Sequence, residues 1–293
     1  MLVIVGVIDL GSNTVRLLVA RTCPRGLVTV ERTGSRLGLG EQIERSGRIS
    51  GKKISKAAAA VEELATRARR HDVDALAIVV TAPGRQSENG DELVAAIGSA
   101  ARTPVRVLSP ADEGRLTFFG AVSSAEALPA TVAVSDVGGA STELAVGTPA
   151  SEPTWLHSVD LGALRLTERH FAEAVCDETV DRARDDVRAL FASLAPPPAA
   201  TALAAGGTAR ALRKLVGPTL GREELLEAEK ILRTEPHDRV AQRHGIKRAR
   251  LRVLFAGTLI HAELQRRLGV ELTVARGGLR EGVALEQLSR LAA

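Results

Sequence analysis

The chain reads as an α/β protein of two like-built domains, on three observations. Short apolar strands alternate with amphipathic helices along its length, the pattern of helices packed on a sheet. A strand–turn–strand segment opens the sequence and returns near its middle. The length, 293 residues of which 45% are hydrophobic, is enough to fill two cores rather than one.

Val3 to Ile8 reads as a buried strand, Asp9-Leu10-Gly11-Ser12-Asn13 as a turn and Thr14 to Ala20 as a returning strand. An amphipathic helix over about Lys53 to Arg70, a strand from Ala75 to Thr81, a helix from Asp91 to Arg102 and a strand from Val105 to Leu108 follow. Ser109-Pro110-Ala111-Asp112 has the form of a helix start: Ser as N-cap, Pro at the first helical position and an acid at the third, with Glu113 in the first turn. The stretch from Ser123 to Pro129 marks a boundary, giving domains over 1–124 and 125–293, with the last helix, about 281–293, packing back on the first.

The second half restarts with a strand from Thr131 to Ser135, the turn Asp136-Val137-Gly138-Gly139-Ala140 and a returning strand from Ser141 to Val146. Laying Asp9 on Asp136 also lays Gly11 on Gly138, Thr14 on Ser141, Leu17 on Leu144 and Val19 on Val146, which marks an internal duplication. Helices near Leu161 to Phe171 and Asp177 to Leu194, the breaker Pro196-Pro197-Pro198 and a strand from Thr201 to Ala205 come next. Gly206-Gly207-Thr208 then opens a helix, and a long helix from about Lys247 to Leu268, a strand from Val270 to Ala275 and a helix from about Leu279 close the chain.

Composition narrows the function. The opening apolar run, Met1 to Ile8, lacks a basic leader and a small-residue cleavage site and is far short of the roughly 20 residues that span a bilayer, so neither export nor a membrane partner is expected. Cys23 and Cys176 are far apart and near no histidine pair, which argues against a disulfide framework or a zinc site and makes a cytoplasmic location the default. A net charge of +4 favours a polyanionic ligand, but the basic residues are interspersed with acids. With 2% aromatic residues and no Tyr there are few stacking platforms, and no nucleic-acid partner is expected.

The turns carry the chemistry. Gly11, Gly138 and Gly139 permit positive φ and close approach of a ligand, and successive N–H groups in such turns form an anion nest. Ser12, Asn13, Thr14, Ser141 and Thr142 complete the two phosphate-compatible turns. Each turn also holds an acid, Asp9 or Asp136, and a carboxylate beside a phosphate is repulsive unless a hard cation such as Mg2+ or Mn2+ lies between them. Asp-Gly pairs also make ordinary hairpins, but two matching copies favour function. Gly206-Gly207-Thr208 is a third such turn, at a helix N-terminus.

Arg85, in the loop after a strand, offers a fork of donors to a phosphate, or is a solvated surface arginine. Glu113 is a general base that orients and deprotonates water, or an acid favoured by the helix dipole. Glu143, opposite Arg16 in the duplication, reaches the same metal or water, or is an exposed edge-strand acid.

Taken together, these residues resemble the exopolyphosphatase and guanosine pentaphosphate phosphohydrolase family of the actin, Hsp70 and sugar-kinase superfamily. Ile8 to Leu17 is similar to the family's first phosphate motif and Asp136 to Glu143 to its second. Thr81 to Asn89 resembles the loop that supplies an arginine, and Asp112-Glu113-Gly114-Arg115 resembles the Glu-Glu-Ala-Arg segment whose second acid is the family's proposed base. Leu161-Gly162-Ala163 through Thr167-Glu168, the turn at Gly206, and Gly278 to Gly282 fall in register as well. Departures are Ala140 for the third glycine of the second motif, Pro83, Gly84 and Gln86 in the arginine loop, and Gly114 for alanine.

The resemblance implies two ribonuclease-H-like domains facing across a cleft, with Asp136, Glu143 and Asp9 around the metal, Arg85 neutralising the transferred group and Glu113 placing the water. It implies release of orthophosphate from inorganic polyphosphate, or conversion of guanosine pentaphosphate to tetraphosphate, by a homodimer. Because the chain stops at Ala293 it is similar to the short, two-domain members, with a limited grip on long polymers. Two further readings stay open: a kinase or chaperone ATPase of the same superfamily, and a non-catalytic polyphosphate or alarmone sensor.

Overall fold

The computed structural model describes residues 3–23, 26–173 and 175–292. Met1 and Leu2 of the opening apolar run and Ala293 of the last expected helix lie outside them. The chain divides into two compact units, one from Met1–Ser124 and Gly277–Ala293 and the other from Ala125–Arg276.

The first unit begins with the expected hairpin, β1 (Ile4–Leu10) and β2 (Thr14–Cys23), and continues into β3 (Gly26–Arg36), a long edge strand. Then come α1 (Gly40–Ser46), α2 (Gly51–Arg69), β4 (Ala75–Val80), α3 (Ala82–Gln86), α4 (Gly90–Ala101), β5 (Val105–Val107) and α5 (Pro110–Val122). The strand order is β3-β2-β1-β4-β5, with β1, β4 and β5 parallel and β2 and β3 antiparallel. Both faces of this sheet are buried, which is why β1 reads as continuous apolar sequence rather than as an alternation. Ile8 and Leu10 face the layer that contains Ile54, Val61 and Leu93 of α2 and α4. Val5 and Val7 face Leu116 of α5.

The second unit holds β6 (Val132–Val137), β7 (Thr142–Gly147), β8 (Trp155–Val159), α6 (Ala163–His170), α7 (Asp177–Leu190), β9 (Thr201–Ala205), α8 (Gly206–Val216), β10 (Thr219–Leu220), α9 (Arg222–Thr234), α10 (His237–His244), α11 (Arg248–Leu268) and β11 (Leu272–Val274). Its sheet runs β8-β7-β6-β9-β11-β10. Apart from the edge strand β10, this is the order of the first sheet: third, second, first, fourth, fifth. The mixed sheets and this repeated order make the fold α/β and actin-like, with the internal duplication visible in topology as well as sequence. The chain ends in α12 (Leu279–Ala292), which belongs to the first unit and packs Val283 and Ala284 into the layer with Leu116.

Candidate functional site

The two hairpins are copies in register, not only in sequence. Asp9 pairs across the ladder with Arg16 and Asp136 with Glu143. Each turn is closed by the same bond: Gly11 N to Thr14 O and Gly138 N to Ser141 O, both 3.0 Å. In each unit the segment that follows then caps the turn. Leu37 N and Gly38 N donate to Asn13 O at 2.9 and 3.1 Å, and Gly40 N, at the start of α1, donates to Ser12 O at 2.7 Å. Likewise the first amides of α6 reach the second turn, Ala163 N to Gly138 O at 2.9 Å and Leu164 N to Gly139 O at 2.8 Å. With these carbonyls satisfied, what each turn can still offer an anion is main-chain N–H.

The hairpin glycines do not supply the positive φ expected of them. None of Gly11, Gly138 and Gly139 has positive φ; Gly206, at the start of α8, does, at +83°, as does Gly38 in the cap of the first turn, at +64°. Ala140 has no positive φ either, so the turn does not need a glycine there. Close approach is the real constraint. A Cβ on Gly162 would sit 2.5 Å from Gly139 C and 2.6 Å from Ala140 N, which accounts for Leu161-Gly162-Ala163 beside the second turn.

Gly206 shapes the second acid. A Cβ there would lie 2.1 Å from Asp136 Oδ1, so the carboxylate occupies space that any side chain would fill. Across the ladder stands Glu143, 2% exposed and accepting a hydrogen bond from Ser158 Oγ at 2.9 Å. β7 lies between β6 and β8, so the expectation of an exposed edge-strand acid is overturned. Like charges directly opposite on a ladder repel, and a cation offsets that repulsion. The first hairpin sets Asp9 against a base, Arg16, instead.

No three His, Cys, Asp or Glu side chains gather into a metal cage among the described residues. A magnesium-type ion, which keeps water and takes one or two carboxylates plus phosphate oxygens, fits Asp136 and Glu143 with the Gly206 cradle.

Two of the predicted phosphate ligands use their hydroxyls inside the fold: Thr142 Oγ1 donates to Leu161 O at 2.6 Å and Thr208 Oγ1 to Val137 O at 2.9 Å, both buried. Ser12 and Ser141 are buried at the turns, while Gly11, Asn13, Thr14 and Gly207 are half-buried. Asn13 Oδ1 accepts from Arg36 Nε at 3.0 Å, a contact with β3 that the sequence reading did not contain.

Arg85 is not in a loop but on the one-turn helix α3, nucleated by Pro83 near its start. Nor is it a solvated surface arginine. Its NH1 and NH2 donate to Glu113 Oε2 at 3.0 and 3.1 Å, NH1 also donates to Leu108 O, and the paired side chains are only 16% and 12% exposed. The cap of α5 forms as expected, Ser109 Oγ accepting from Asp112 N at 3.0 Å. Burial pushes the Asp112 carboxyl up, but the Ser109 hydroxyl, Arg106 and Arg115 together hold it below its ordinary value.

The chain as a whole is similar to known proteins. The model of the Ppx/GppA phosphatase family matches residues 18–291. The chain belongs to that family. The match starts inside β2, so the equivalence of the first turn rests on the ladder register and capping bonds above. A solved exopolyphosphatase-like protein is 26% identical, with a TM-score of 0.91 over 100% of this chain and 99% of that one. The Ppx/GppA family member from Aquifex aeolicus matches at a TM-score of 0.85 and 23% identity, covering 100% of both chains. An exopolyphosphatase from Cytophaga hutchinsonii gives 0.85 and 20% over 98% of each. At such identities these last two speak to the fold. No helix among the described residues is long and apolar enough to cross a membrane.

Proposed function

We propose that this member of the family is a metal-dependent exopolyphosphatase, which hydrolyses the terminal phosphoanhydride of inorganic polyphosphate and releases orthophosphate. The observation that carries the reading is the seat of Asp136 in the space left by Gly206, with Glu143 across the ladder. An acid built into a phosphate-type turn is repulsive toward its ligand unless a cation is shared between them. Asp136 and Glu143 would hold that ion, Mg2+ or Mn2+, and Asp9 is the corresponding acid of the first turn. The ion would neutralise charge on the phosphate chain. The likeness to a protein described as exopolyphosphatase-like supports polyphosphate as the substrate, and guanosine pentaphosphate, which presents the same terminal anhydride, is the alternative.

Gly11 N and Gly138 N close the turns and the hydroxyls of Thr142 and Thr208 are engaged in the fold, so the main-chain amides of Ser12 to Thr14, of Gly139 to Thr142 and of Gly206 to Thr208 are assigned to the phosphates. Phosphoryl transfer depends mainly on positioning and charge neutralisation. Glu113 orients the water and takes its proton as the water oxygen bonds to phosphorus and the bridging P–O bond breaks. Arg85 fixes the base and brings positive charge toward the transferred group. No membrane or nucleic-acid partner enters this reading; a homodimer in the cytoplasm does.

The test is release of phosphate from long-chain polyphosphate, guanosine pentaphosphate and ATP, each with and without magnesium, with Glu113→Gln as control. Magnesium-dependent release from polyphosphate, lost in Glu113→Gln, is the expected result. Release from ATP alone would point to the kinase or ATPase readings, and binding without release to a sensor.

A further inference from the structure

Helices α5 and α12 of the first unit meet in antiparallel register at four-residue intervals. A Cβ on Gly120 would lie 1.9 Å from Gly278 O, and one on Gly282 would lie 1.8 Å from Leu116 O, so the two backbones touch with no room for a side chain. One turn further on, the register brings Glu286 toward Asp112. Two acids would repel there, and two arginines bridge them.

Arg106, on β5, donates NH1 to Glu286 Oε2 at 2.8 Å and places NH2 2.9 Å from Asp112 Oδ1. Arg115 places NH2 2.9 Å from Glu286 Oε1 and 3.9 Å from Asp112 Oδ1, with its guanidinium 5.9 Å from the centre of the Phe119 ring. Arg290 adds a third cation to Glu286, at 3.3 Å. Glu286 itself is 17% exposed. A single exposed ion pair contributes little, but a closed ring sharing both oxygens of a sheltered carboxylate restrains geometry. What it restrains is the first turn of α5, where Asp112 is followed by Glu113.

We infer that Glu286 is the positioning residue for Glu113: acting through Arg106 and Arg115 on Asp112, α12 sets the first turn of α5 and with it the aim of the water-activating carboxylate. The inference rests on Glu113 being the base of the proposed hydrolysis. Arg85 fixes the carboxylate at its tip, and Glu286 fixes the backbone that carries it. Displacement of a catalytic group by about 1 Å costs on the order of a hundredfold in rate, so loss of one restraint need not unfold anything to be felt.

The test is a double-mutant cycle on the full chain with polyphosphate. Glu286→Gln keeps the shape and removes the charge. Its kcat is expected to fall about tenfold with KM changed by less than about twofold, because the substrate is still bound and only the reacting geometry is disturbed. In the Glu113→Gln background, Glu286→Gln is expected to cost nothing further. An equal loss in both backgrounds, or a change carried by KM alone, overturns the inference. Arg106→Met is the second variant, with the same kcat pattern expected should Glu286→Gln fold poorly. Faster amide hydrogen exchange at Glu113 in either variant, without a matching change in α2, is the readout independent of turnover. Full turnover by Glu113→Gln alone sinks the assigned base, an outcome distinct from failure of the cycle.

Discussion

Arg85 and Glu113 form a sheltered, two-point ion pair, NH1 and NH2 on the single oxygen Oε2, and Leu108 O anchors the guanidinium from behind. The pair joins α3 to α5, so the arginine expected to meet phosphate is also the clamp on the expected base. Arg85→Lys should therefore fail to rescue function: a point charge cannot reproduce a planar fork that serves a carboxylate and a carbonyl at once. We expect kcat for phosphate release to fall about a hundredfold in both Arg85→Lys and Arg85→Ala. Stability should fall by about 2 kcal/mol in Arg85→Ala, since a sheltered charge-assisted pair with Glu113 and the bond to Leu108 O are both lost. Near-normal kcat in Arg85→Lys would show that charge alone suffices.

Gly206→Ala tests the seat of Asp136. The new methyl must displace Oδ1, and φ of +83° adds about 1–2 kcal/mol of backbone strain. Because the acid is moved rather than removed, the expected signature is a shift of the magnesium dependence of phosphate release, with roughly tenfold more metal needed for half-maximal rate. Unchanged magnesium dependence would mean that Asp136 does not hold the ion.

The hairpins were legible because a duplicated turn imposes the same residue types twice, and the match of Asp9 on Asp136 through Val19 on Val146 is carried over into ladder register. The edge strand β3 was not, since Gly26–Arg36 is largely exposed and polar and carries no buried period. β8 was missed because four of its five residues are half-buried, with no alternation to mark a strand, and with it went Ser158, the hydroxyl that holds Glu143. The Arg85–Glu113 pair joins residues 28 apart on separate elements, and no local pattern encodes such a contact. At the hairpins glycine is expected to give positive φ and close approach of a ligand; at Gly162, Gly120 and Gly282 it is space for another backbone, which no turn pattern signals.

Gly162→Ala is the test of that last point. Its methyl meets main-chain atoms of Gly139 and Ala140, which cannot swing aside as a side chain would. Overpacking of this kind costs about 1–3 kcal/mol, and it should be accompanied by loss of activity, because the atoms displaced belong to the second turn. A stable, fully active Gly162→Ala protein would show that the turn tolerates displacement.

His261 sets an acid limit on stability. It is fully buried in α11, and burial lowers its pKa from 6.5 to about 4, opposed by its Nδ1 contact with Gly257 O at 2.7 Å. The fold keeps the ring neutral, so between these two values the unfolded chain binds a proton that the folded chain does not. Stability should then fall as pH drops from about 6.5 to about 4 and level off below, a total of about 3 kcal/mol. Glu31, Asp112 and Glu263, all held below their ordinary values, act with the same sign but only as pH falls through the carboxylate range. The region between pH 7 and 5 therefore isolates the histidine. Urea midpoints in that region should decline for the wild-type protein and stay flat for His261→Leu; parallel slopes for the two proteins would remove His261 as the cause.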